Sequence, residues 1–471
     1  MSEPANQDRA GARLEEFQRN PRKALWTLSL PIMVGMSIYT AYMIADMVFV
    51  GMLGPDALIA VSFTMPLLFL AMGSTFGLGS AVTAMIAQAI GAKDQRRASR
   101  IAQHALLVGV LLTIGFVSVG LVYGERLLLG IGVPEEILPF AWQYFSVVVA
   151  GFVFQVQAIL FRSLFSGEGE VKLPVIISGI GTATNIVLDP IFIFSLDMGI
   201  RGAAVATVVT QAAVMLTFAY LLFIRKRIHV DLSYRNFRLR SEIVRDLVRI
   251  GAPASLSFLV MSAGGGTFNR ILVEYSPDAV AGLQVGTRID HLVVLPIVSI
   301  ASALVTLVGM FYGAKRLELV EEIANYAIKQ AVLIAVTMSA FFLAFAPWLV
   351  APFTDSEAIR VVAVQYLRYA TLAFVAFPFS ILLGRAQQGL DRGTPELVLS
   401  LLRVLLISVP LAGIFAFAFD RPIQYVWMAI IVGSWVSAVV ALVWWRSALR
   451  SAVRRRPAVP ADGSLVEQPA G

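Results

Sequence analysis

Two acids and an amide stand inside sequence apolar enough for a membrane. Asp46 lies in "YTAYMIADMVFVGMLG", and Asn185 and Asp189 lie in "NIVLDPIFIF". A charge at the centre of a membrane helix costs about 2.5–3.5 kcal/mol on insertion scales, so an intramembrane acid is a functional candidate by default. A carboxyl lowers that cost by holding a proton, which burial and a second nearby carboxylate both favour. It can also lower it by binding a cation. The first route makes a proton relay. The second makes an oxygen cage for Na+ from Asp46, Asn185 and Asp189, to which Thr207 could add an oxygen. The residue types fit both, and the choice stays open.

Helical spacing puts these residues on shared faces. Ser178, Thr182, Asn185 and Asp189 fall at i, i+4, i+7 and i+11, as do Gly35, Tyr39, Tyr42 and Asp46, and Thr207 and Gln211 are i, i+4 partners. Tyr39, Tyr42, Thr182 and Gln211 are therefore candidates for lining a wet substrate pocket, and span 4 (138–165) offers Gln157, which points to a different side from Gln155. Hydrogen bonding between helices would explain Thr207, Gln211 and the tyrosines equally well. Pro190 follows Asp189 and cannot donate to the carbonyl of Ile186, so a weak or kinked helix, a hinge, is expected beside the acid.

The elements that must hold this set are membrane helices. Of 471 residues, 58% are hydrophobic and 14% charged, where a soluble domain is nearer half apolar and a quarter charged. Apolar blocks recur along the whole chain at lengths that cross a roughly 30 Å hydrocarbon layer. Twelve spans are expected, near 24–50, 57–90, 100–124, 138–165, 172–196 and 200–224, then 246–273, 279–312, 322–346, 360–385, 396–419 and 425–447. Basic residues gather at one set of helix ends. Arg9, Arg13, Arg19, Arg22 and Lys23 precede span 1. Lys93, Arg96, Arg97 and Arg100 follow span 2, and Arg446, Arg450 and Arg454 to Arg456 follow span 12. Arg225, Lys226, Arg227, Arg235, Arg238 and Arg240 follow span 6, and Lys315 and Arg316 follow span 8, whereas the odd-numbered loops carry about one each at most, such as Arg126, Arg201 and Arg421. The positive-inside bias puts both termini in the cytoplasm and the chain in the plasma (cytoplasmic) membrane as a multi-pass protein. That clustering also accounts for the net charge of +7 without a nucleic-acid partner. There is no cysteine, hence no disulfide or thiol chemistry.

The chain repeats. Pro31 and Pro253, Pro55-Asp56-Ala57 and Pro277-Asp278-Ala279, and Gly91-Ala92-Lys93 and Gly313-Ala314-Lys315 are each 222 residues apart. Arg162 and Arg385 are 223 apart. The expected organisation is a cytoplasmic N-terminal segment (1–23), a six-helix lobe (24–228), a cytoplasmic linker (229–240), a second six-helix lobe (241–449) and a disordered tail (450–471). Such repeat transporters bind near the lobe interface or within a lobe and switch access by moving the repeats. The partner of Asp46 across the repeat is Phe268, an asymmetry that favours function over scaffold for the acid. In the second half an internal Asp290–Arg pair is expected to pin the lobe, although Asp290 could be a second proton site. Arg162 and Arg385 are expected to snorkel at cytoplasmic helix ends.

The proline-led first span ending in "ADMVFVGMLG", then "AVTAMIAQAIGAKD" and "NIVLDPIFIF", resembles the multidrug and toxic compound extrusion (MATE) family over roughly residues 22–449. The resemblance implies an all-α fold of twelve helices in two pseudo-symmetric six-helix bundles around a central cleft. It implies cation-driven export of organic cations and related drugs. The DinF-like branch has its acids in the first half, and its residues fall on Asp46, Asn185, Asp189 and Thr207. The NorM-like branch has acids in spans 7 and 10, where this chain has no acid near Gly264 and Phe377.

The expected function is secondary multidrug efflux: an antiporter exporting organic cations and amphipathic drugs for protons or Na+, with no cofactor, working as a monomer in the bilayer. A flippase for lipid-linked oligosaccharides of the same superfamily is the alternative, though acids in the first half suit cationic cargo better. An intramembrane enzyme finds no support, since no GxSG, GxGD or HExxH pattern and no catalytic residue is present. The absence of any Gly-Lys dipeptide excludes a P-loop for ATP-driven transport.

Overall fold

A computed structural model describes residues 4–233 and 237–454. The described chain is helical and has no strand. A short helix α1 (Pro4–Arg19) precedes the first lobe. That lobe comprises α2 (Pro21–Gly51), α3 (Pro55–Gly91), α4 (Gln95–Gly130), α5 (Leu138–Ala150), α6 (Phe152–Gly167), α7 (Lys172–Pro190) and α8 (Gly199–Ala219). The second lobe comprises α9 (Ser241–Val273), α10 (Pro277–Gly313), α11 (Leu317–Val350), α12 (Glu357–Phe374), α13 (Phe377–Gly389), α14 (Thr394–Leu401), α15 (Val409–Gly413) and α16 (Gln424–Arg454). Ten helices are long and apolar enough to cross a membrane. Two bent pairs, α5–α6 at 45° and α12–α13 at 49°, bring the number to twelve. The expected positions agree with these to within a few residues. The expected tail lies largely outside the described residues.

Local sequence starts the helices. Pro21, Pro55 and Pro277 sit in the first turns of α2, α3 and α10, where a missing N–H costs nothing. The Asp94 carboxylate caps α4 by accepting from the Arg97 amide at 2.9 Å.

The repeat is visible in space. A Cβ on Gly91 would lie 2.0 Å from the Met310 carbonyl oxygen, and one on Gly313 would lie 2.0 Å from that of Gln88. Each contact is the other's image under the 222-residue offset. α3 and α10 thus cross at the end of the bundle that bears both termini, called here the basic end. Every lobe-to-lobe hydrogen bond of the described residues falls between the bundle's middle and this end. They include Gln88 Nε2 to the Gly389 oxygen (2.9 Å), Thr306 Oγ1 to the Ser166 oxygen (3.1 Å) and Trp26 Nε1 to the Tyr326 hydroxyl (3.1 Å). Midway, Ser299 Oγ meets Met36 Sδ at 3.4 Å, and the rings of Phe76 and Phe258 stack at 5.9 Å. Beyond these contacts a cleft opens toward the opposite end.

The segment joining the lobes is a strap along the first lobe. Ile228, Val230 and Leu232 are buried in alternation. The buried Glu168 carboxylate accepts from the His229 and Val230 amides at 2.8 and 3.0 Å. Gln103 Nε2 donates to the Ser233 oxygen at 2.7 Å, and the Arg240 amide donates to His104 Nε2 at 2.8 Å. Arg13 of α1 donates to the Glu168 main-chain oxygen (3.1 Å) and pairs with Glu170 (2.7 Å). Burial pushes the Glu168 carboxyl up to about 7, against the lowering pull of the two amides and Arg13.

Two outcomes follow. Gly91→Val should lower the melting temperature by an overpacking cost of about 1–3 kcal/mol. Gly115→Ala, where a Cβ meets nothing within 4 Å, should cause no loss. For Glu168, a folded value above the unfolded one means that the group's stabilising contribution is complete below about 4.5 and is lost as pH rises through about 7. Thermal melts of Glu168→Gln should show a flatter pH profile over that window, by up to about 1.4 kcal/mol per pH unit.

Candidate functional site

Close helix approach builds the site in the first lobe. A Cβ on Gly35 of α2 would stand 3.2 Å from Val175 of α7, and one on Gly181 of α7 would stand 2.4 Å from Val214 of α8. Glycine at these positions lets α2, α7 and α8 pack tightly enough for short polar side chains to meet. Pro190 leaves the Ile186 carbonyl without its usual donor. The next five residues, Ile191–Ser195, wind as a wide π-turn that closes with the Leu196 amide on the Ile191 oxygen at 2.9 Å. The helical pitch thus changes directly after Pro190, the position at which a hinge is expected.

Asp46 is 7% exposed, Asn185 3% and Asp189 0%. The Asn185 amide, in the orientation that satisfies both its ends, donates to Asp189 Oδ2 at 3.1 Å and accepts from the Thr207 amide at 3.2 Å. The Thr207 hydroxyl donates to the Ala203 oxygen at 3.1 Å. The Tyr42 hydroxyl reaches the Thr207 side chain, and the rings of Tyr39 and Tyr42 are 5.8 Å apart. Asp46 and Asp189 lie within each other's electrostatic reach. The second carboxylate oxygen of Asp189, Oδ1, is shut from solvent and has no hydrogen-bond partner. An ionised carboxylate left in that state is costly, so the oxygen is a place for a proton or a cation.

The four residues that sequence placed on three helices thus converge. Thr182 and Gln211 are half-buried, one turn from Asn185 and Thr207 respectively. Gln157 is set apart: it is buried, its Nε2 lies beside Gly109 of α4, and that nitrogen has no partner. Tyr144 of α5 went unmarked in the sequence, yet it is buried and feels both carboxylates. Its only signal was a hydroxyl in an apolar span.

The second lobe differs from expectation in two places. Asp290 pairs with the Tyr366 hydroxyl at 2.5 Å instead of with an arginine. Arg385 does not snorkel. It is paired with Glu396 at 3.1 Å, both mostly buried, and donates to Ser80 of the other lobe at 3.0 Å. Among the described residues no group of three or more His, Cys, Asp or Glu is placed to hold a metal ion.

Comparison with known proteins follows the same two halves. The MatE family profile matches residues 31–191 and again 253–414. The chain belongs to the MATE family. The two matched segments begin 222 residues apart, as the spatial repeat requires. The chain is 24% identical to an FAD transporter of Shewanella oneidensis, covering 83% of this chain and 87% of that one. It is 24% identical to the multidrug export protein MepA of Staphylococcus aureus, over the same shares. Among solved structures it is 33% identical to a MOP superfamily transporter of Pyrococcus furiosus, described as having a binding pocket of reverse polarity. That likeness has a TM-score of 0.88 and covers 92% of this chain and 97% of that one. A MATE crystal structure in the bent conformation gives a TM-score of 0.89 at 31% identity, over 94% and 98% of the two chains. The MATE family is one of transporters, so the protein is a multi-pass membrane transporter and not an enzyme.

Asn185→Leu removes the donor to Asp189 and leaves a buried carboxylate with neither oxygen satisfied. Chemical or thermal unfolding in detergent should show a loss of about 1–3 kcal/mol. Asp189→Asn, which removes the buried charge instead, should unfold no more easily than the wild type.

Proposed function

We propose that this MATE protein is a secondary antiporter of the plasma membrane, with both termini cytoplasmic. It exports organic cations and related amphipathic drugs in exchange for protons, with Na+ as the alternative coupling ion. The observation that carries this reading is the sealed, unpartnered Asp189 Oδ1 within charge reach of a second buried carboxyl, Asp46. Such a pair is poorly served with both members ionised and gains from taking up one positive charge. Asn185, Thr207 and Tyr42 supply the remaining polar contacts.

On this reading the cleft opens outward, and the proton or Na+ enters from outside. Its uptake changes the charge next to the π-turn at Ile191–Ser195, where the helical pitch changes. Neutralisation lets α2 and α7 repack and cargo leave outward. Release of the ion inward follows as the lobes, 24–228 and 241–449, rock the other way, joined by the 229–240 strap. One chain contains the whole cleft, which supports a working monomer.

The test is transport in proteoliposomes with pH and Na+ gradients imposed separately. Asp46→Asn and Asp189→Asn should each abolish drug-driven proton (or Na+) movement while the protein stays folded. Coupled flux at the wild-type rate in either variant would end the proposal.

A further inference from the structure

Near the floor of the cleft stand arginines with no carboxylate in ion-pair distance among the described residues. Tyr39 is 43% exposed, one turn beyond the Met36–Ser299 contact that closes the cleft, and Arg162 of α6 lies within its electrostatic reach. On the facing wall Met261 is 48% exposed, one turn beyond the Phe76–Phe258 stack. Arg403 donates to its Sδ at 3.2 Å, with its guanidinium 5.2 Å over the Phe377 ring. Arg403 stands in the π-helical stretch Leu402–Ser408. Nearer the mouth, the exposed Arg288 is eleven residues before Ser299 on α10 and so shares its cleft-side face.

None of these three arginines has a carboxylate within 4 Å among the described residues. The acids that could have balanced them are withdrawn: Asp46 and Asp189 into the first lobe, and Asp290 onto Tyr366. The repeat supplies an internal comparison. Arg385, the counterpart of Arg162, is neutralised by Glu396. At the same 223-residue offset the first lobe has Leu173 in place of Glu396, so Arg162 lacks that partner. Arginines within membrane spans are retained where they meet a partner or a substrate path, and a guanidinium fork suits carboxylate or phosphate oxygens.

We infer that the cleft floor between Arg162 and Arg403 is a recognition site for the anionic group, carboxylate or phosphate, of an amphipathic cargo molecule. The apolar body of that molecule would lie against Tyr39, Met261 and Phe377. Cargo of this chain then includes anionic and zwitterionic amphiphiles beside cations. The inference rests on the cleft alone and holds whichever ion drives transport.

The experiment is a binding titration on the full-length protein in phosphatidylcholine nanodiscs at pH 8, read by fluorescence anisotropy. The probes are fluorescein, an anion bearing a carboxylate, and rhodamine 123, a cation on the same xanthene frame. Saturable fluorescein binding is expected, weakened about tenfold or more by Arg162→Gln or Arg403→Gln and largely restored by lysine at either position. Rhodamine 123 should bind the glutamine variants as well as the wild type, or better. Fluorescein affinity unchanged in folded glutamine variants would overturn the inference. Should a glutamine variant not fold, the wild type decides: fluorescein affinity must fall as ionic strength rises, while that of rhodamine 123 does not. No saturable fluorescein binding, or binding indifferent to salt, would also overturn it. Added carboxylate and phosphate amphiphiles, each competing with fluorescein, distinguish the two head groups.

Discussion

The structure depends on a paired backbone contact in which two glycines let two helices touch. Gly91 rests against the Met310 carbonyl and Gly313 against that of Gln88, related by the internal repeat. No side chain fits there, because even one methyl would collide with main-chain oxygen. The contact fixes where the halves meet, and the hydrogen bonds of Gln88 and Thr306 extend the seal around it. Closure at one end of a bundle of this length leaves the other end free to splay, and the cleft is the result. Lipid outside gives the lobes little hydrophobic reason to stay together, so close packing and polar contacts must do so.

Within that frame the charges are sorted by lobe. The first lobe keeps two carboxyls inside and leaves the half-buried Arg162 without a carboxylate in ion-pair distance among the described residues. The second turns its acid, Asp290, onto a tyrosine and neutralises Arg385 with Glu396. An ion that answers to Asp46 and Asp189 therefore does not have to compete with cargo for the same atoms. Tyr39 and Tyr42, one turn apart on the same face of α2 with their rings 5.8 Å apart, stand between the two: Tyr39 is within charge reach of both Arg162 and Asp46, and Tyr42 of Asp46. A change of charge at Asp46 can be felt along that face of α2 as a change of packing.

Much of this was legible in the sequence. Polar residues in apolar spans are conspicuous because such spans tolerate few of them, so Asp46, Asn185 and Asp189 stood out, and helical spacing put Asn185 and Asp189 on one face with Pro190 beside them. The repeat was legible because proline and glycine mark positions that no other residue can fill. What escaped was pairing between distant elements. Glu396 follows Arg385 by eleven residues but across the turn at Gly389 to Gly393, so helical spacing gave no hint of their ion pair. Asp290 was expected to meet arginine because charge seeks charge, yet the nearest group is a phenol 76 residues away, brought in by the packing of α10 on α12. Gln157 had the right residue type on the right span, but its rotation about the helix aims it at α4.

The strap between the lobes has a mechanical consequence. Its bonds to Glu168 and Gln103, and the last one, from Arg240 to His104, all go to the first lobe. Arg240 is the residue before α9 begins. The second lobe is therefore not held on a slack leash but mounted at the root of its first helix, like a door on its jamb. Rotation about that root moves the basic end least and the opposite end most. A small angle there is amplified over the length of α9 into the width of an opening.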